Sequence, residues 1–289
     1  MPRHQHSQIR FPSALGTGRL WRVDESAPAN LEGMFRFLAL VAIASVALTG
    51  CVSSSTPTAE IPAPTQPSPA TDTTPSITPS PTAVVAAFDT TLHSVDEADS
   101  LWVVVDKLRR LSPKRYAPAD LKTMNVPHTY TPILRRDAAT AYRAMFRAAR
   151  RDGIDLVVQS AYRSYSAQVS VYNGWVESIG REAADLQSAR PGYSEHQIGL
   201  SVDIAAADRA CTIQACFGTT PEGKWLKRNA PLFGWHLRYP RGKTAITGYI
   251  YEPWHWRFVG VELATELSLT PKITLEEFFG LPAAPDYAR

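Results

Sequence analysis

GYSEHQIGLSVD, residues 192–203, and YEPWHWRFVG, residues 251–260, are the two stretches on which the reading of this chain turns. In the first, Gly199 stands between His196 and Asp203, so a turn feeding a strand can bring both side chains inward while the glycine permits close backbone approach. In the second, a regular strand puts Trp254, Trp256 and Phe258 on one side and His255 and Arg257 on the other. The aromatic side can then pack in a core while His255 points into a cleft. Strict alternation places Glu252 opposite His255, so a site shared by the two needs a bend or bulge, and Pro253 is the residue that marks such a break. Two imidazoles, one carboxylate and a spare glutamate are the complement of a catalytic zinc. Singly they mean less: a lone His-x6-Asp arises by chance, Glu252 alone fits a surface carboxylate, and His255 alone fits a hydrogen-bonded core imidazole. Together they point to a hydrolase.

Around these segments the pattern is mixed. Between Ile133 and Arg150, apolar residues at Leu134, Ala138, Tyr142, Met145, Phe146 and Ala149 fall on one helical face, and Gly153 stands just beyond as a stop. The opposite face carries Arg136, Arg143, Arg147 and Arg150, which suits a solvated helix face, with attraction to an anionic wall polymer as the alternative. Ile154 to Ser160 has the β-branched content of a buried strand, a helix opens near Ser166, and Val202 to Ala205 reads as a strand. Thr220-Pro221-Glu222 starts a helix that Gly234 ends, after which WHLRYP and ITGYIYEPWHWRFV supply further strands. Helices interleaved with short strands, without regular βαβ repetition, predict an α+β fold.

The first 85 residues read differently. Phe37 to Gly50 is an apolar run too short to span a bilayer comfortably, preceded by Arg36 and followed at once by Cys51. It has the form of a signal-peptide core, and Leu48-Thr49-Gly50-Cys51 resembles the bacterial lipobox, in which cleavage leaves a lipid-bearing cysteine at the new N-terminus. The alternatives are an uncleaved anchor or a short buried helix. The residues before Met34 are long and polar for a signal n-region, which suggests Met34 as the true start. From Val52 to about Thr82 the chain is Pro, Ser, Thr and Ala with few large apolar side chains, a composition that cannot offset its ordering entropy. The expected organisation is therefore residues 1–50 as N-terminal extension and lipoprotein signal, 51–85 as tether, and 86–289 as the folded domain. At about 3 Å per residue an extended Pro-rich tether holds a domain tens of ångströms from a membrane.

Composition narrows the partners. The 289 residues are 44% hydrophobic and 20% charged, enough for one well-buried domain plus appendages. A net charge of +3, without nucleic-acid-binding patterns, argues against a nucleic-acid partner. With Cys51 assigned to lipid, Cys211 and Cys216 remain, and in an exported domain two cysteines so placed close a small disulfide loop. Metal binding by that pair is the alternative, though CxxxxC is not a usual zinc spacing.

These segments also carry a family resemblance. SEHQIGLSVD resembles the SxHxxGxAxD signature, and EPWHWR the ExWHxR signature, of the zinc D-alanyl-D-alanine carboxypeptidases of the VanY type, peptidase family M15. SAYRSYSAQ, Ser160 to Gln168, is similar to that family's SGYRSYxxQ segment, and CFGTTPEGKWLKRNAPLFGWHLRYP to the stretch between its metal motifs. Ser201 in place of alanine and Ala161 in place of glycine are small exchanges that leave the ligand positions untouched. The resemblance spans about residues 101–267. It implies a Hedgehog/DD-peptidase-like fold with a small antiparallel sheet and flanking helices. It further implies that His196, Asp203 and His255 bind Zn2+, that Glu252 is the general base, and that Arg163 sits near the substrate carbonyl or terminal carboxylate with Gln168 and Ser194 hydrogen-bonding that C-terminus. Arg257 is expected to brace the site or pair with a carboxylate, and Glu195, Asp208 and His236 to be solvated or structural.

The activity so implied is removal of the C-terminal D-alanine from peptidoglycan stem peptides, outside a bacterial cytoplasmic membrane to which lipid tethers the chain. A D,D bond in a pentapeptide is favoured over an L,D bond in a tetrapeptide, and cross-link endopeptidase activity is a further alternative. A wall-binding module without turnover is the rival of another class, and Glu252 argues against it, since binding alone needs no free base beside a ligand.

Overall fold

The computed structural model describes residues 87–288; Cys51, the signal segment and the 51–85 tether lie outside them. In chain order the elements are β1 (Leu121–Thr123), β2 (Ile133–Arg135), α1 (Arg136–Arg151), β3 (Leu156–Ser160), α2 (Tyr165–Ile179), α3 (Arg181–Asp185), β4 (Ser201–Ala206), α4 (Pro221–Asn229), β5 (Trp235–Leu237), α5 (Thr244–Thr247), β6 (His255–Phe258), α6 (Val261–Ser268) and α7 (Leu275–Phe278). β1 and β2 form a two-stranded ribbon, and the main sheet is antiparallel throughout with order β3-β4-β6-β5. The fold is α+β, a small antiparallel sheet with flanking helices.

The sheet has one apolar and one polar face, and the register decides which residues share them. Asp203 pairs with His255, Ser201 with Arg257, and His236 with Arg257, so residues of three strands stand together on one side. Val202, Ile204, Trp256, Phe258 and Trp235 are left for the other side, where they join the core with Ala138, Tyr142, Met145 and Ala149 of α1. Tyr142 meets Trp235 edge-on, ring centroids 6.0 Å apart. β3 enters this scheme through a bulge. Leu156 and Val158 pair with Ala206 and Ile204 on the apolar side, then the register shifts so that Ser160 pairs with Asp203. One extra residue turns Ser160 from the core to the polar face. A second apolar cluster, Trp102, Val104, Val259, Leu263, Leu267 and Leu275, packs α6 and α7 against the segment before β1.

Three sequence expectations are corrected. The helix over 133–150 begins at Arg136, because Ile133–Arg135 are extended, pair with β1, and donate the Arg135 N–H to the Gly199 carbonyl at 2.8 Å. Leu134 satisfies both periodicities, since it is buried either way. The strands expected over 246–259 are also fewer: Thr244–Thr247 is helical, and only His255–Phe258 is strand. Gly248, with φ of +80°, ends α5 in a left-handed conformation, where a Cβ would stand 2.5 Å from the Ala284 carbonyl oxygen. The helix expected to run to Gly234 ends at Asn229, and a 3-10 turn, Ala230–Phe233, carries the chain on to Gly234; β3 and β4 shift by a residue or two. The helix near Ser166 begins at Tyr165 with Ser164 as its cap, and Thr220 caps α4 with Pro221 in the first turn.

Candidate active site

Each side chain of the candidate site is placed by an identifiable local device. His196 lies in a 3-10 turn, Glu195–Ile198, that ends at Gly199 with φ of +68°. A Cβ at Gly199 would press on Leu121 Cδ2 at 3.0 Å and Arg135 Cγ at 3.1 Å, so the close approach anticipated from the sequence is real and is made to the β1–β2 ribbon. Asp203 comes from the middle of β4 and His255 from the start of β6, directly paired across the sheet. Glu252 precedes β6 by a turn: the His255 N–H donates to the Glu252 carbonyl at 3.1 Å, with Pro253 and Trp254 between. The break at Pro253 is therefore a turn outside the ladder, and it brings Glu252 Oε2 to 3.9 Å from His255 Nδ1.

His196, Asp203 and His255 are buried, and their candidate ligand atoms lie within 4.8 Å of one another. Asp203 divides its oxygens, Oδ2 at 3.2 Å from His196 Nε2 and Oδ1 at 3.1 Å from His255 Nδ1. His196 Nδ1 is 2.7 Å from the Ala161 carbonyl. A carbonyl can only accept, so the Nδ1 proton is committed there and Nε2 turns its lone pair to the centre. Burial by itself would lower the His255 imidazole, yet hydrogen bonds to Asp203 and Glu195 and the charges of Asp203 and Glu252 push it up to about 9. Burial would raise Asp203, but the imidazoles hold it well below the usual carboxylate range. Burial lowers the His196 imidazole, so the cluster sets an unprotonated ring beside an ionised carboxylate, a pairing that suits a divalent cation. Two imidazoles and one carboxylate are a zinc donor set of the three-ligand kind, and the residues present fit the ion.

The site opens on a cleft of about 500 Å³. Its lining includes Ser160, Arg163, Ser194 and Glu252 together with Tyr130, Trp175 and Trp254. Burial drives the Glu252 carboxyl up to about 8, against the opposing pull of the His255 and Arg163 charges. Arg163 donates from Nη2 to Ser160 Oγ at 3.2 Å and lies 3.9 Å from Asp203 Oδ2. Gln168 lies against this guanidinium. It is fully buried, accepts from Arg163 Nη1 at 2.7 Å and donates to the Ala189 carbonyl at 2.6 Å. Its position one helical turn after Ser164 sends it behind the guanidinium, where it braces Arg163. Ser194 does line the cleft.

Glu195, for which the sequence suggests a solvated or structural role, is completely buried. Arg238 Nε at 2.8 Å and Arg257 Nη1 at 3.1 Å donate to its Oε1; Ser201 Oγ donates to Oε2 at 3.1 Å, and His255 Nε2 lies 3.3 Å from the same oxygen. The signal lay in Arg257, which alternation puts on the face of His255 and which, once buried, needs a carboxylate. His236 is on that face too, held neutral by burial with its imidazole lowered to about 3; Asp208 is exposed. Cys211 and Cys216 are joined by a disulfide with Cα atoms 5.5 Å apart, and the loop it closes carries Ile213, which lines the cleft.

Comparison with known proteins places this arrangement. The family model described as "VanY: D-alanyl-D-alanine carboxypeptidase" matches residues 131–261, which hold every residue of the cluster. YodJ of Bacillus subtilis (strain 168) is 36% identical over 193 residues, 65% of this chain and 70% of that protein. The solved structure of the LdcB LD-carboxypeptidase is similar with a TM-score of 0.59 at 37% identity, covering 63% of this chain and 87% of that one. The vancomycin resistance D,D-pentapeptidase VanY, in complex with Zn(II), is similar with a TM-score of 0.53 at 30% identity, covering 63% of this chain and 99% of the other. A buried His-Asp-His cluster with a carboxylate at its edge, on a chain this similar along most of a relative's length, makes the protein a zinc metallopeptidase that belongs to the VanY family of D-alanyl-D-alanine carboxypeptidases.

Proposed function

We propose that the protein removes the C-terminal D-alanine from peptidoglycan stem peptides, cutting the D,D bond of a pentapeptide. The observation that carries the reading is the approach of Glu252 to the His196, Asp203 and His255 cluster in the lining of one cleft. Zinc held by those three residues supplies Lewis acidity and lowers the pKa of water to near 7.

The chain's own groups account for the remaining steps. Glu252, made more basic by burial, takes a proton as the carboxylate at Oε2 from the attacking water and delivers it to the departing amine nitrogen. One C–N bond breaks, one C–O bond forms, and the carboxylate ends as it began. Arg163 presents a braced planar guanidinium to the substrate carbonyl or its terminal carboxylate, the feature by which an exopeptidase tells a free C-terminus from a continuing chain. Ser194 offers a hydroxyl to the same end of the substrate.

The similarity to the LdcB LD-carboxypeptidase favours a second reading, removal of D-alanine from a tetrapeptide across an L,D bond. The cellular setting belongs to the same proposal. Export by the 37–50 segment, lipid on Cys51 and the Pro-rich tether would hold the catalytic domain, residues 86–289, at the outer face of the cytoplasmic membrane, turned to the wall. Two or more acyl chains make such an anchor stable, and Cys51→Ala should release the protein from the membrane fraction.

Synthetic stem pentapeptide and tetrapeptide, incubated with the zinc-loaded protein with and without chelator and read by mass spectrometry, test the activity. Chelator-sensitive loss of one D-alanine is expected, from the pentapeptide first. Loss from the tetrapeptide alone selects the L,D reading, and no product from either overturns the assignment.

A further inference from the structure

We infer that Glu195 is a positioning residue for the metal ligand His255, and that Arg238 carries this function to Glu276 of the C-terminal helix α7. The inference rests on the metal-site reading above and adds to it a part of the chain, residues 262–288, that the family model does not reach.

His255 turns Nδ1 to Asp203 Oδ1 at 3.1 Å and Nε2 to Glu195 Oε2 at 3.3 Å. A ring that gives one lone pair to a cation must keep its proton on the other nitrogen, and a carboxylate acceptor there fixes both the tautomer and the ring plane. Glu195 is itself fixed at both oxygens. Oε1 takes Arg238 Nε and Arg257 Nη1, leaving Oε2 for His255 and the Ser201 hydroxyl. Carboxylate and both guanidinium groups have side chains with no exposed surface.

Glu276 completes the balance. Arg238 forks to it, Nη2 to Oε1 at 2.6 Å and Nη1 to Oε2 at 2.9 Å, while its Nε serves Glu195. Two carboxylates and two guanidinium groups thus form one buried chain, Glu276–Arg238–Glu195–Arg257, with His255 attached at a single oxygen. Pairing alone would account for the four charged groups. It does not require that one oxygen of Glu195 be kept free of arginine and turned to a ligand ring. Removing Glu276 leaves Arg238 with one carboxylate to share between two directions, which moves the acceptor of His255 without touching the cluster itself.

The test uses the full chain and three variants, Glu195→Gln, Glu195→Asp and Glu276→Gln, with Leu263→Ala in the α6 cluster as a control for destabilisation alone. Zinc affinity is measured by competition with a chromophoric chelator, and kcat and KM are measured on stem peptide. We expect Glu195→Gln to weaken zinc binding about ten- to hundredfold and to lower kcat more than it raises KM. Glu276→Gln should shift both in the same direction by less, Glu195→Asp should recover part of the loss, and Leu263→Ala should lower Tm without moving zinc affinity. Nitrogen NMR on the zinc-loaded wild type needs no variant and should find His255 bound through Nδ1 with a slowly exchanging Nε2 proton. Zinc affinities within twofold of wild type, equal losses in the control, or His255 bound through Nε2 would each overturn the inference. Failure of the wild type to bind zinc would instead sink the metal-site reading on which it stands.

Discussion

Ser160 and Asp203 meet across the sheet because of one extra residue: the bulge between Val158 and Ser160 moves the Ser160 hydroxyl off the apolar face and onto an oxygen of the aspartate. That hydroxyl also accepts from Arg163. A serine at the end of a core strand thus links the metal-binding carboxylate to the guanidinium proposed to receive substrate.

Glu252→Gln keeps the shape of the side chain and removes its basicity. We expect kcat to fall about 10²- to 10⁴-fold, the range of general-base catalysis, with one zinc per chain retained. Atomic absorption on the purified variant and steady-state kinetics check both halves. Undiminished hydrolysis would dismiss Glu252 as the base, and loss of zinc would make it a ligand.

Chelation should abolish activity while leaving the domain folded. The core against α1 lies on the face of the sheet away from the cluster, so far-UV dichroism is expected to persist without metal. Binding to the native state alone contributes about 2.7 kcal/mol at a ligand concentration a hundred times Kd. Tm should therefore drop on chelation and return with zinc, and His196→Ala should abolish that zinc-dependent rise. A variant that still gains Tm from zinc would take His196 out of the ligand set.

How much of this was legible beforehand follows the range of the interactions. Local signals located α1, β3, β4 and α4, because periodicity, capping residues and β-branched runs act within a few residues. They erred at Ile133–Arg135, where pairing with β1 overrides the continuing helical pattern, and over 246–254, where apolar content suits a strand but Gly248 and Pro253 turn the chain. The three candidate ligands and Glu252 could be named from motif and resemblance. The direction of Gln168 and the enclosure of Glu195 could not, since the first depends on packing against Ala189 and the second on arginines 43 and 62 positions away.

Acid should weaken the wall behind the cleft through Asp185. Burial raises this carboxyl, but hydrogen bonds from Arg190 and Tyr172 outweigh it and hold the folded group below its ordinary value. A depressed carboxylate contributes stability that is fully present above its unfolded pKa, about 3.9, and is lost as pH falls through the folded value. With Arg190 one-third exposed the contribution is about 1 kcal/mol. Asp185→Asn should be less stable than wild type by a constant amount between pH 5 and 8, and the two Tm curves should converge below about pH 4. Curves that stay parallel to the lowest pH would show that the ion pair contributes nothing.

Gln168→Ala separates bracing from substrate contact. The amide receives Arg163 Nη1 and gives its own N–H to the Ala189 carbonyl, all beneath the cleft surface. Its removal leaves a buried carbonyl without its donor, a loss of about 1–3 kcal/mol, and frees the guanidinium to swing. We expect Tm to fall, KM for stem peptide to rise several-fold, and zinc stoichiometry to hold. Gln168→Glu should recover part of the KM, because a carboxylate can still accept from Arg163, but not the stability, because it cannot donate to Ala189. Ser194→Ala, at the cleft surface, should raise KM with little change in Tm. If Gln168→Ala and Ser194→Ala behave alike, with KM raised and Tm unmoved, then Gln168 reaches the substrate after all and the buried brace is the wrong account of it.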